Sequence, residues 1–274
     1  GGRRMKASSA IGLAVGLLTI GLGATMEGSS VMAVLNMPAL LIVLGGTFGA
    51  TMAGTSFDAV KNIPALYKKA FSSEPPDLNG KVSELVGYAE KARRDGLLAL
   101  DEQLSEVEDP FTRKGLQLVV DGTDPDLVAE VLDAENTAMR KRHMAGAQPF
   151  EKAGGFAPTM GIVGTVFGLV HVLQNLDAPE TLGPSISAAF IATLVGVGSS
   201  NVIFLPIANR LKQLSAEELH AREMTVEGIL SIQSGDNPRV VAEKLVTYVP
   251  PSQRPNEQDA AKGGAPVGAE PVAA

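Results

Sequence analysis

The sequence has no cysteine and no tryptophan, and aromatic residues make up only 4% of it. Without thiols there is no disulfide, no thiolate metal site and no cysteine redox chemistry. The three histidines, His143, His171 and His220, are scattered, so their spacing draws no metal site. There is no phosphate loop and no nucleophile elbow, so enzyme activity has no support and no cofactor is expected. A formal net charge of −7 over 274 residues argues against nucleic acid as a partner. The most informative absence is local: four long apolar runs contain no Asp, Glu, Lys or Arg.

Those runs are residues 7–26, 31–53, 153–176 and 185–208. Crossing a hydrocarbon core of about 30 Å takes roughly 20 apolar residues in a helix. Backbone groups in lipid must pair internally, so each run is expected to be a transmembrane helix. The first run is too long, and too soon followed by the second, to read as a cleaved signal; Met5-Lys6 is a candidate start. Orientation follows the distribution of Lys and Arg near the span ends. Arg3, Arg4, Lys6, Lys61, Lys68, Lys69, Arg140, Lys141, Arg142, Lys152, Arg210 and Lys212 fall on one side. The other side holds only the short loops 27–30 and 177–184, with Glu27, Asp177 and Glu180 and no Lys or Arg. Both termini are therefore expected in the cytoplasm.

The expected fold is an all-α membrane protein with four transmembrane helices. Spans 1 and 2 occupy 7–53, a helical cytoplasmic domain occupies 54–152, and spans 3 and 4 occupy 153–208. Cytoplasmic helices follow over 209–250. The tail 251–274, rich in Pro, Gly, Ala and Gln, is expected to be disordered. Within 54–152, Val82, Leu85, Val86 and Ala89 predict a helix over 81–95 stopped by Gly96. A short helix is expected over 97–106. Asp124-Pro125-Asp126 has the form of a helix start, leading into a stripe of Leu127, Val128, Val131, Leu132 and Met139. After span 4, residues 211–232 predict an amphipathic helix, broken at 234–238, with a last short helix over 239–248.

Small residues crowd the spans. Gly12/Gly16, Gly45/Gly49 and Gly164/Gly168 are spaced for close helix–helix approach. Pro158 and Pro206 each remove a helix hydrogen bond and favour a bend. Thr165 shares a helical face with Gly161 and Gly168, and Thr193 shares one with Gly196 and Ser200. Two hydroxyl-bearing faces could line a hydrated ion path; the alternative is that each hydroxyl bonds back to its own helix. Ion conduction through a membrane usually needs a carboxylate in the path, and none of these spans has one. His171, near the outer end of span 3, is their sole titratable side chain and reads as interfacial. An ion-handling role would require a second chain to bring the acid.

Residues 155–170, Gly-Phe-Ala-Pro-Thr-Met-Gly-Ile-Val-Gly-Thr-Val-Phe-Gly-Leu-Val, resemble the third span of the MotA/TolQ/ExbB proton-channel superfamily. Ala192-Thr-Leu-Val-Gly, with Asn201 and Leu205-Pro-Ile-Ala-Asn209, resembles the fourth. Gly235-Asp-Asn-Pro-Arg239, followed by Glu243-Lys-Leu245 and Pro250-Pro251, resembles the C-terminal signature of the flagellar MotA/PomA branch. The resemblance covers roughly residues 5–251.

It implies a bacterial inner-membrane flagellar stator subunit that converts ion flow into torque. The family forms a homopentameric ring around two MotB/PomB-like chains, each of which supplies the membrane Asp. Pro158 and Pro206 match prolines thought to couple ion passage to movement of the cytoplasmic domain. Arg93 and Asp101, with Arg94 and Glu102 adjacent, match the segment that touches the rotor protein FliG; a solvated helix face is the alternative. Thr165 and Thr193 match hydroxyl positions of sodium-driven members, which leans toward sodium. The proton-driven TolQ/ExbB branch carries threonines there as well, so sodium and proton both stay open. A TolQ/ExbB-like energy-transducing subunit is the nearest other reading, disfavoured by four spans and a cytoplasmic N-terminus. A solute transporter would need a polar site at mid-membrane, and none is visible.

Overall fold

The computed structural model describes residues 2–28 and 31–254, with side chains from Ile11 onward except those of Val31 and Ala33. Ser29-Ser30, residues 255–274 of the expected disordered tail, and the side chains of Arg3, Arg4 and Lys6 lie outside the described residues. Among the described residues the chain is helical, with no strand. In chain order the helices are α1 (Gly2–Met26), α2 (Met37–Gly54), α3 (Phe57–Lys61), α4 (Ile63–Ser72) and α5 (Leu78–Asp95). They continue with α6 (Asp101–Leu104), α7 (Pro110–Val120), α8 (Pro125–Gln174), α9 (Pro179–Gln233) and α10 (Pro238–Val246). The chain divides into two compact units, Gly1–Pro75 with Thr137–Glu218, and Pro76–Asn136 with Leu219–Ala274.

The first unit holds the apolar runs. α2, α8 and α9 are each long and apolar enough to cross a membrane, and Ile11–Met26 of α1 is a shorter apolar helix. Large apolar side chains such as Leu18, Leu41, Phe167 and Phe190 stand exposed on these helices. That is the pattern of helices whose solvent is hydrocarbon or a neighbouring helix. The second run does not form one helix from residue 31. A single 3₁₀ turn at Val31–Val34 comes first, and the helix begins at Met37. Asn36 causes the break: its side chain accepts from the Ala39 N–H at 3.1 Å, and Pro38 sits in the first turn, where no donor is needed. Ala39 and Val43 of α2 pack on Ala192 of α9. A second cluster joins Ala70 of α4, Ala147 and Phe150 of α8, and Ile207, Ala208 and Leu211 of α9. The Lys152 ammonium donates to the carbonyl of Gly54, the last residue of α2, and Lys212 pairs with Glu151.

The second unit has an ordinary water-excluded core of Leu85, Leu100, Phe111, Leu132, Ile229 and Leu245, among others. α5 starts at Leu78 and ends where Gly96 takes φ 88°, a conformation that a side chain would resist. The segment expected as a helix over 97–106 is a 3₁₀ turn, Leu97–Leu100, followed by the single turn of α6. α7 was not predicted from the sequence, although it has an apolar face of Phe111, Leu116 and Val119. Asp109 caps it, accepting from the Phe111 N–H at 3.1 Å, with Pro110 in its first turn. The expected start at Asp124-Pro125 is present, with Asp124 Oδ1 accepting from the Asp126 N–H at 2.9 Å. Asn237 likewise caps α10, which runs from Pro238 rather than Arg239. Lys81 Nζ binds Glu84, Asp109 and Thr112 at 3.0, 3.1 and 2.8 Å, so one cation ties α5 to the start of α7.

Candidate functional site

α8 and α9 approach so closely that glycine is required on both. A Cβ added to Gly196 would lie 2.5 Å from the Ala157 carbonyl oxygen and 3.0 Å from Gly161 Cα. One added to Gly168 would lie 2.5 Å from Ala189 Cβ, and one on Gly164 would lie 2.7 Å from Ala192 Cβ. The Gly164/Gly168 spacing is thus a helix contact within the chain. Gly12, Gly45 and Gly49 differ, since a Cβ there would meet nothing within 4 Å.

Thr165 and Thr193 lie on this seam and touch each other. Thr165 Oγ1 is 3.1 Å from the Gly161 carbonyl, 3.0 Å from the Ala189 carbonyl on the facing helix, and in hydrogen-bond contact with Thr193 Oγ1. The hydroxyl bonds back to its own helix, as one reading of the sequence has it, and also crosses to the other helix. Two hydroxyl protons serve this group of oxygens, so lone pairs remain that a cation or a water could use. The group carries no formal charge. Among the described residues, no cluster of three His, Cys, Asp or Glu side chains could hold a metal ion. His171 is exposed, its carbonyl accepting from Asn175 Nδ2 at 2.7 Å.

The two prolines are accommodated differently. Pro158 has no N–H, so the carbonyl of Gly154, one turn earlier, loses its helical donor. Gly154 is buried, and the buried Ser200 supplies the missing donor, with Oγ 2.6 Å from that carbonyl. Pro206 follows a π turn at Ser200–Phe204, where the Leu205 N–H reaches back to the Ser200 carbonyl. The ladder widens by one residue just before the proline. A third helical proline, Pro149, frees the carbonyl of exposed Ala145, which water can satisfy. Ser200 therefore serves the Pro158 region directly and opens the wide turn before Pro206. Sequence reasoning placed it on the Thr193 face but missed this bond.

The charged segment forms at the C-terminal end of α5 and the start of α6. Arg93, Arg94, Asp101 and Glu102 are all exposed. Arg94 pairs with Asp95 at 3.0 Å, which raises the guanidinium's affinity for its proton and lowers that of the carboxyl. Lys91 Nζ is 3.9 Å from Glu102 Oε2. Leu98, 75% exposed, lies in the chain between the two charged pairs and was not singled out by sequence.

The described residues define an all-helical protein with helices long and apolar enough to cross a membrane. Two of these, α8 and α9, meet at a glycine seam that carries uncharged hydroxyl oxygens. Residues 103–224 match the model of the MotA/TolQ/ExbB proton channel family. The chain is 37% identical to Motility protein A of Bacillus subtilis over 91% of its own length and 93% of that protein's. It is 35% identical to the chemotaxis protein PomA of Vibrio alginolyticus over 86% and 92%. Its fold matches the solved flagellar MotAB stator complex from Bacillus subtilis with a TM-score of 0.84, 35% identity, and coverage of 92% and 97%. It matches that of C. jejuni MotAB with a TM-score of 0.86, 29% identity, and coverage of 90% and 97%. The chain belongs to the MotA/TolQ/ExbB proton channel family.

Proposed function

We infer that the chain is a flagellar motor stator subunit of the MotA type, acting in the inner membrane as a multi-pass protein. The observation that carries the mechanism is the Thr165–Thr193 oxygen cluster in a glycine seam that contains no acid. Such a wall can shape and partly dehydrate an ion path but cannot neutralise a cation. A MotB/PomB-like partner supplies the carboxylate, as the MotAB composition of the matched complexes supports. Near-full-length relatives named Motility protein A and PomA favour this over a TolQ/ExbB-like role.

On this reading four spans place both termini and residues 54–152 in the cytoplasm, the side rich in Lys and Arg. Copies of the chain form a ring, five in the family pattern, around the partner's membrane helices. Ion passage bends α8 and α9 at Pro158 and Pro206, and the exposed charges Arg93, Arg94, Asp101 and Glu102 meet FliG. The transported ion is sodium or proton. Co-expression with a MotB-like partner in vesicles tests the core of the reading. Cation flux is expected with both chains and none with this chain alone; flux from this chain alone would overturn it.

A further inference from the structure

Arg210 stands two residues beyond the fourth apolar run, at the depth where a span leaves hydrocarbon. It is only 8% exposed, and its Nε and one terminal nitrogen have no hydrogen-bond partner among the described residues. A guanidinium this buried keeps its charge at a cost, which an anion entering from the adjoining cavity would offset. The side chain lines a cavity of about 350 Å³ between α1, α4 and α9. The rest of the wall is largely apolar, including Gly12, Gly16, Phe71, Val202 and Pro206, and no acidic residue lines it. Gly12 and Gly16 keep it open: a Cβ at the first meets nothing within 4 Å, and one at the second meets only Val202 Cγ1 at 3.4 Å. One buried cation at the membrane boundary beside an apolar trough matches a molecule with a phosphate at one end and hydrocarbon at the other.

We propose that this cavity binds an anionic phospholipid, with its phosphate on Arg210 and an acyl chain along Gly12, Gly16 and Val202. Basic pockets between membrane helices on the cytoplasmic side hold anionic headgroups in this way. The inference rests on the membrane placement of α1 and α9 but not on torque generation, so motility and lipid selectivity can fail separately.

Native mass spectrometry of the full-length chain in detergent, titrated with phosphatidylglycerol or phosphatidylcholine of equal chain length, reads the preference. Wild type is expected to favour phosphatidylglycerol about fivefold to tenfold. Arg210→Gln should bring the two lipids to parity, and Gly16→Leu should lower phosphatidylglycerol binding with Arg210 intact. An unchanged preference in Arg210→Gln overturns the proposal. So does inorganic phosphate bound equally by wild type and Gly16→Leu when neither retains lipid, which would make the site one for free phosphate. Circular dichroism checks that each variant folds. If Arg210→Gln does not fold, Gly16→Leu decides alone, and wild-type lipid binding in that variant overturns the site.

Discussion

The Ser200 hydroxyl donates to the carbonyl of Gly154, the carbonyl that Pro158 deprives of its helical donor. The pair converts a sequence-local defect in α8 into a contact between α8 and α9, and it makes a coupled prediction. Ser200→Ala should leave a buried carbonyl unpaired and cost about 1–3 kcal/mol. Pro158→Ala restores an N–H to the Gly154 carbonyl, so Ser200→Ala should cost much less in that background. Thermal unfolding of the four proteins of the cycle measures the coupling; additive effects would show that the serine and the proline act separately. Pro158→Ala and Pro206→Ala alone should leave the protein inserted and assembled but impair torque, which swimming assays of each variant would read.

The glycines divide into two groups. Gly196→Ala puts a methyl 2.5 Å from the Ala157 carbonyl, where backbone must move, so it should separate α8 from α9 and abolish function. Beyond their own helix backbone, Gly45→Ala and Gly49→Ala meet no described atom within 4 Å and should leave the isolated chain's stability unchanged. Unfolding midpoints of the purified variants test both halves. If Gly45→Ala keeps the chain stable but prevents a ring in cross-linking or native mass measurements, α2 forms a contact between copies.

Asp109 is the group whose titration should govern acid stability of the second unit. Burial pushes its carboxyl upward, but hydrogen bonds from Thr112, Lys81 and the Phe111 N–H, with the charge of Lys81, hold it below the usual carboxylate range. A folded value below the unfolded one means the stabilisation is present above about pH 4 and is lost as pH falls through the folded value. Asp109→Asn keeps a capping oxygen but removes the charge. The wild-type unfolding temperature should therefore drop below about pH 4 more steeply than that of Asp109→Asn. Parallel curves would mean that other carboxylates dominate.

Single reversals at Arg93 or Asp101 should leave the protein folded, since both side chains are exposed and an exposed pair is worth only about 0–1 kcal/mol. Motility should weaken mildly in single reversals and strongly in the double, while ion conduction is kept. Restoration by opposite reversals on FliG would establish the contact. Without restoration, the charges are a solvated face.

What could be read from sequence, and what could not, follows from the range of the forces involved. The apolar runs announce themselves because membrane burial demands length and composition, which any window reveals. The start of α2 at Met37 is hidden inside an uncharged run and depends on a single Asn36 cap. α7 was not predicted, although Phe111, Leu116 and Val119 form its buried face and Asp109-Pro110 has the same form as the Asp124-Pro125 start. The Thr165–Thr193 contact was foreshadowed by helical faces, each hydroxyl sharing its face with glycine. The Ser200–Gly154 bond and the wide turn before Pro206 were not, because helix register against a neighbour fixes them and no local pattern encodes that register.

Thr165 offers a way to tell which ion is carried. Thr165→Ala removes one hydroxyl from the oxygen cluster and little volume, while Thr193 and the Ala189 and Gly161 carbonyls remain. A sodium ion arriving at the partner's carboxylate must exchange water for ligands of comparable strength, and a lost hydroxyl is one ligand fewer. If sodium is carried, Thr165→Ala should raise the sodium concentration needed for half-maximal swimming speed by about tenfold, the effect of roughly 1.4 kcal/mol. If protons are carried, a water can take the place of the hydroxyl in relaying the charge. The variant's speed should then fall little and show no dependence on sodium. Swimming speed against sodium concentration, wild type beside Thr165→Ala, separates the two. A flat wild-type curve assigns the proton and leaves the two threonines as packing and hydrogen-bonding partners at the α8–α9 seam.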